Sequence, residues 1–431
     1  SKILISSIRT YLLVVVGTFF IAACGVDGSS DEDSNPPTPD ASSDDTGGDS
    51  QPVTDSPSAG FDPVSMITQI VDEVIIKHYQ TLSENASSFS VGEDSIATYC
   101  SAIGTDQETT RREIVQDQWR SLMADVQATE LHVVGPAADN GGALRNRLHS
   151  YSEGPLSTCG VDLSVVLAEE DSFDIKTRSL NQRGMGAVEY LLFNPVLDHT
   201  CAPQVPQTQS WNSRSDSERR LKRCELATRI VTDVADAAST IESDWQDFRA
   251  EFINQDNAGD SLQRLTDGLF ALDKLTKDQK LTLPTGLSGD CSALTCPKLV
   301  ESPYAENTYQ NIRTNLLSFR KIFTGIDGLG FDDYIDNEGF SDVSERFLEN
   351  IAATLAVIDS AEASVNTEVA SIQTVAHETA CTNAAAAPDQ PNQLNVCRLA
   401  GSIKRITDDL KIDFVTIVGV MIPDSAQSDN D

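Results

Sequence analysis

Arg183-Gly184-Met185-Gly186-Ala187-Val188-Glu189-Tyr190-Leu191-Leu192-Phe193 is the stretch on which the fold turns. From Gly184 to Phe193 it carries one charge, Glu189, among apolar and small residues. Read as a helix, Ala187 and Val188 stack over Leu191 and Leu192, so apolar side chains cover most of its faces. A helix that is apolar nearly all round is a buried one. Glu189 then lies inside, with Gly186 and Phe193 as helical neighbours. A buried carboxylate needs a partner, either an ion pair such as Arg183 or a bound cation. The opening Gly184-Met185-Gly186 lets another group approach the helix closely.

Amphipathic stripes surround this element. Phe61-Asp62-Pro63 predicts a helix start, with Asp62 as N-cap and Pro63 in the first turn. Ile67, Ile70, Val71, Val74, Ile75 and Tyr79 then share one face. Val115, Trp119, Leu122, Met123 and Val126 form a second stripe, which ends before Gly135-Pro136. Asn140 to Pro155 reads mainly as loop, and Val161 to Leu167 as a short strand or a buried turn. A long helix is predicted to start near Asp216-Ser217-Glu218, with apolar residues from Leu221 to Phe252 recurring mostly every three or four positions over about 35 residues, long for a globular protein. Gln255 to Gly259 reads as a domain break. Beyond it come stripes at Leu262–Leu272, Ile312–Phe323, Phe347–Ile358 and Val396–Leu410. No stretch alternates with period two. The fold class predicted is all-α, two related helical bundles over 61–254 and 255–421, with a disordered tail over 422–431.

The start of the chain reads as an export signal. Lys2 and Arg9 precede an apolar run from Tyr11 to Ala23, short for a membrane span. Ile21-Ala22-Ala23-Cys24-Gly25 has the form of a lipobox with Cys24 acylated, making 1–24 a lipoprotein signal and the membrane a partner through that lipid. Gly25, where aspartate is missing, points to the outer membrane and the periplasmic side. Residues 25–60 are rich in Ser, Asp, Pro and Gly and predict a disordered acidic linker. The formal net charge of −35 excludes nucleic acid as a partner. Beyond Cys24 lie Cys100, Cys159, Cys201, Cys224, Cys291, Cys296, Cys381 and Cys397, an even set that predicts disulfides in an oxidising compartment. Connectivity is open from sequence. Nearest-neighbour pairing gives Cys201–Cys224, Cys291–Cys296 and Cys381–Cys397, leaving Cys100 with Cys159.

The 183–193 stretch resembles the signature helix of the imelysin-like family, Gly-x-His-x-x-Glu followed by an aromatic and two leucines. Gly184, Glu189 and Tyr190-Leu191-Leu192 match, and Gly186 stands at the histidine position. Glu306 to Gly325 and Gly328 to Asp333 resemble the family's second-half helix and glycine-rich turn. The resemblance runs from about residue 61 to 420. It implies an all-helical fold of two halves with a site between them, and a place in bacterial iron uptake beside other envelope proteins.

Catalytic chemistry finds little support in the residue pattern. Zinc hydrolysis needs about three ligands, a water and a base. The histidines are scattered, and His377-Glu378-Thr379-Ala380-Cys381 ends in cysteine. No nucleophile elbow or phosphate loop occurs. Asp332 to Gly339 misses EF-hand spacing and reads as a solvated acidic loop. Hard cations take carboxylate and phenolate oxygens and need no histidine. The expectation is therefore non-catalytic binding of iron, another cation or a small ligand. The expected site comprises Arg183, Gly184, Gly186, Glu189, Tyr190, Tyr304 and Tyr309, with Trp119 lining the cleft. A metal-dependent peptidase and a structural or partner-docking envelope protein are the alternatives.

Overall fold

The structure, a computed structural model, describes residues 60–152 and 154–427. The signal segment with Cys24, the linker up to residue 59, and residues 428–431 lie outside the described residues.

The described chain is helical, with no strand among the described residues. Local chemistry sets many of the helix starts. The Asp62 carboxylate accepts the Val64 N–H, and Pro63 opens the helix Pro63–Ile70. Ser95, Ser157, Ser215, Ser364 and Thr374 cap their helices in the same way, each hydroxyl accepting a first-turn N–H that has no partner within the helix. The long helix Asp216–Phe252 has 37 residues and is the spine of the molecule. Lys77–Val91, Ile96–Ala102 and Met185–Phe193 pack along it, and its Trp245 is fully buried. Glu108–Ala128 packs against both Lys77–Val91 and Thr308–Thr324. This second contact ties the earlier part of the chain to the later part. Asn395–Asp409 is the centre of the later part, touching Ser341–Asp359, Val375–Ala386 and the wide-turn π segment Leu272–Thr282.

The described residues belong to one compact unit, and the chain passes Gln255–Asn257 as a single 3-10 turn leading directly into Ala258–Leu269.

Several local expectations are corrected. Val161 to Leu167 is neither strand nor turn but part of the helix Thr158–Leu167, capped by Ser157. The 140–155 segment holds a short helix, Arg145–Leu148. The acidic stretch after Gly330 is the helix Phe331–Asn337. There Asp333 accepts the Gly330 N–H at 2.9 Å and Asp336 accepts the Ser344 hydroxyl. Residues 424–427, expected in a disordered tail, make a helical turn that buries Ala426. The disulfides are Cys100–Cys224, Cys159–Cys201, Cys291–Cys296 and Cys381–Cys397. The Cys201–Cys224 and Cys100–Cys159 expectations are therefore wrong. Packing of Ile96–Ala102 on the long helix carries Cys100 to Cys224 instead.

Candidate functional site

The helix Met185–Phe193 is buried over all but its last residue. It has no cap from its own N-terminal neighbour, and Ser150 supplies one from a distant loop. The Ser150 hydroxyl accepts the N–H of Gly186 at 2.7 Å and of Ala187 at 3.2 Å, and donates to the Arg183 carbonyl at 2.7 Å. The two glycines permit this approach. Gly184 has φ +79°, a region that side chains rarely adopt. A Cβ on Gly186 would lie 2.8 Å from the Ser150 side chain. Trp119 closes the other side, its indole N–H donating to the Met185 carbonyl at 3.0 Å.

This framework fixes Glu189, which is 0 % exposed. Its Oε1 accepts the backbone N–H groups of Tyr304 and Ala305, each at 2.7 Å, while Oε2 has no hydrogen-bond partner. Arg183 is not its partner. That guanidinium lies 3.5 Å from Asp233, a buried carboxylate also held by Arg147. Burial pushes the Glu189 carboxyl up to about 8, against the pull of the two backbone donors, and the nearby Glu301 carboxylate pushes it the same way. At neutral pH the group is largely a neutral acid.

Beyond Glu189 lies a buried polar network that joins distant segments. The Lys280 ammonium donates to Glu130 and to Gln127 at 2.5 Å each and to Asn315 at 2.7 Å, with Glu301 at 3.5 Å. Glu301 also accepts from Gln127 and Asn311 at 2.7 and 2.6 Å. Lys280 holds the Glu130 carboxyl below its ordinary value despite burial, while burial keeps Glu301 raised. Tyr151 accepts the Ser302 N–H at 3.2 Å, and burial with the Glu189 and Glu301 charges raises its phenol.

A cavity of about 200 Å³ opens on this network, lined among others by Glu130, Arg145, His149, Tyr151 and Glu301. A second of about 160 Å³ shares Tyr151 and Glu301. A larger recess, about 730 Å³, lies elsewhere, around Ser371, His377 and Leu394, and is more open to solvent. Neither Ser371 nor His377 is buried, so that recess lacks the desolvated charges that distinguish the interior cavity.

The expected site residues only partly converge. Tyr304 meets Glu189 through its backbone, and its ring packs edge-on against Tyr190 at 5.2 Å. The Tyr190 hydroxyl donates instead to Asp162, at 3.0 Å, and that of Tyr309 to Glu368, at 3.0 Å. Among the described residues, no group of three or more His, Cys, Asp or Glu side chains is placed to hold a metal ion. His377 is exposed and Cys381 is bonded to Cys397, so the His-Glu-x-x-Cys run supplies no thiolate ligand. Sequence reasoning missed Glu130, Arg145, Tyr151, Lys280 and Glu301. Glu130 lies in the turn after Glu108–Ala128 and Lys280 in the polar segment Leu272–Thr282, both off the apolar stripes, so no local pattern marked them.

Residues 75–394 match the family model of the imelysins, a span that contains every member of this network. No curated protein matches the chain. Two crystal structures resemble it in fold. An imelysin-like protein from Psychrobacter arcticum has 14 % identity and a TM-score of 0.60 over 84 % of this chain and 96 % of its own. A protein from Parabacteroides distasonis, described as an iron-regulated protein A precursor, has 13 % identity and a TM-score of 0.55 over the same shares.

Proposed function

The chain belongs to the imelysin family, and on that premise we propose that it is a non-catalytic binding protein of bacterial iron handling. In this reading Cys24 anchors it by lipid to the outer membrane, and iron or another hard cation is cargo received beside Glu189. The observation that carries the reading is Glu189 itself. It is a fully buried carboxyl with no ion pair and one oxygen, Oε2, without a partner. Tyr151, Tyr304 and Glu301 stand close enough for their charges or hydroxyls to act on it. Carboxylate and phenolate oxygens are the donors hard cations prefer. The cation ligands are not assembled in this conformation, so loading requires side chains around Glu189 to turn. Loading also displaces the Glu189 proton, and cation affinity therefore rises as pH climbs toward and past about 8.

Metal content and titration of the whole chain with iron, supplied as a weak chelate, test the reading beside Glu189→Gln. Stoichiometric binding that the variant loses supports it. Equal binding by both proteins, or none by either, sinks it.

A further inference from the structure

Arg145 is a buried cation without a counter-ion in contact. It is 8 % exposed, forms no ion pair or hydrogen bond among the described residues, and its Nε is shielded from solvent with no acceptor. A guanidinium does not escape the cost of burial by losing its proton. His149, four residues on, is 9 % exposed, and its Nε2 is also buried without a partner. Burial first and the neighbouring Arg145 charge second drive its imidazole down to about 3, so the ring is neutral. Both residues line the cavity of about 200 Å³, many times the roughly 10–15 Å³ that one water needs.

Groups of both signs line the cavity. Glu130 and Glu301 also line it, but Lys280 occupies them, at 2.5 and 3.5 Å. Glu130 feels the Arg145 charge without reaching it. The lining therefore offers a planar guanidinium, that of Arg145, suited to a bidentate acceptor. It also offers carboxyl and amide oxygens, among them those of Glu301 and Gln279, which accept hydrogen bonds, and the carboxylates repel a second negative charge.

We propose that this cavity is an anion site for a small monocarboxylic acid that also carries a hydroxyl or amino group. The carboxylate pairs with Arg145 beside His149, and the hydroxyl or amino group donates toward Glu301 and Gln279. The inference stands on Arg145 and His149 and requires no cation at Glu189, so either reading can fail alone.

The test is calorimetric titration of the whole chain, in chelator, with lactate and with serine, beside succinate and inorganic phosphate. Two variants accompany it. Arg145→Gln removes the charge. Gln279→Trp places bulk at an exposed position on the cavity wall and keeps the test open if Arg145→Gln fails to fold. Saturable binding of lactate or serine is expected, weakened tenfold or more in each folded variant, with succinate and phosphate weaker. The proposal is overturned if neither probe binds in the millimolar range or if phosphate or succinate binds more tightly. It is equally overturned if a folded Arg145→Gln binds as the parent does. Should Arg145→Gln not fold, unchanged binding in Gln279→Trp overturns it. Acid binding without metal binding defeats only the cation reading, and the reverse defeats only this one.

Discussion

Glu189 shows how burial turns an ordinary side chain into a proton-holding one. The folded protein keeps its proton up to about pH 8, whereas the unfolded chain releases it near 4.5. The stability this group contributes is therefore full below about pH 4.5 and is lost as pH rises through about 8. Glu189→Gln carries no proton to lose. Its urea midpoint should gain on the parent's steadily across that window, and parallel pH profiles would show that the carboxyl ionises freely in the fold. His78 and His132 pull the other way. His78 Nδ1 lies 2.8 Å from His132 Nε2, and burial lowers both rings, His78 to about 4. Their contribution is present above about 6.5 and drains away as pH falls.

At the scale of elements, the disulfides differ in how far along the chain they reach. Cys100–Cys224 closes a separation of 124 residues, linking the Ile96–Ala102 helix to the long helix, whereas Cys291–Cys296 closes only 5. Loop-closure entropy makes the first worth about 5 kcal/mol and the second about 2 kcal/mol. Chemical denaturation of the double variants Cys100→Ala/Cys224→Ala and Cys291→Ala/Cys296→Ala should separate them in that order. Equal losses would mean that unfolded-state entropy is not what these bonds restrict. The helix Met185–Phe193 depends on a remote element as well, because its cap comes from Ser150 in the loop after Arg145–Leu148. Gly186 is what lets that hydroxyl approach, because a Cβ there would lie 2.8 Å from the Ser150 side chain.

For the whole molecule, the Lys280 network is the internal bond between the earlier and later parts of the chain. Gln127 and Glu130 come from one side, and Lys280, Glu301 and Asn315 from the other. Removing one member of a buried charged set leaves the others uncompensated, at a cost of about 3–5 kcal/mol. Lys280→Ala should thus lower the stability of the entire compact unit, seen in calorimetry as one transition moved as a whole. Two transitions, with only one displaced, would show that the parts unfold independently.

Helical stripes and the Asp62 cap were legible in the sequence because each depends on neighbours within a few residues, and the even cysteine count because it needs no pairing to be assigned. The predicted 35-residue helix lies within two residues of the 37 observed, since its period runs unbroken from Leu221 to Phe252. Burial of Glu189 was legible too, because no face of its helix offered water. Its partners were not. They are the backbone N–H groups of Tyr304 and Ala305, 115 and 116 residues away, and an N–H group carries no mark in sequence. The Cys100–Cys224 and Cys159–Cys201 pairing, the Ser150 cap and the convergence of Arg145, His149 and Lys280 on one cavity share that origin, whereas nearest-neighbour spacing gave Cys291–Cys296 and Cys381–Cys397 correctly. Periodicity tells which face of a helix is buried, but only the packing of helices decides which buried polar groups meet.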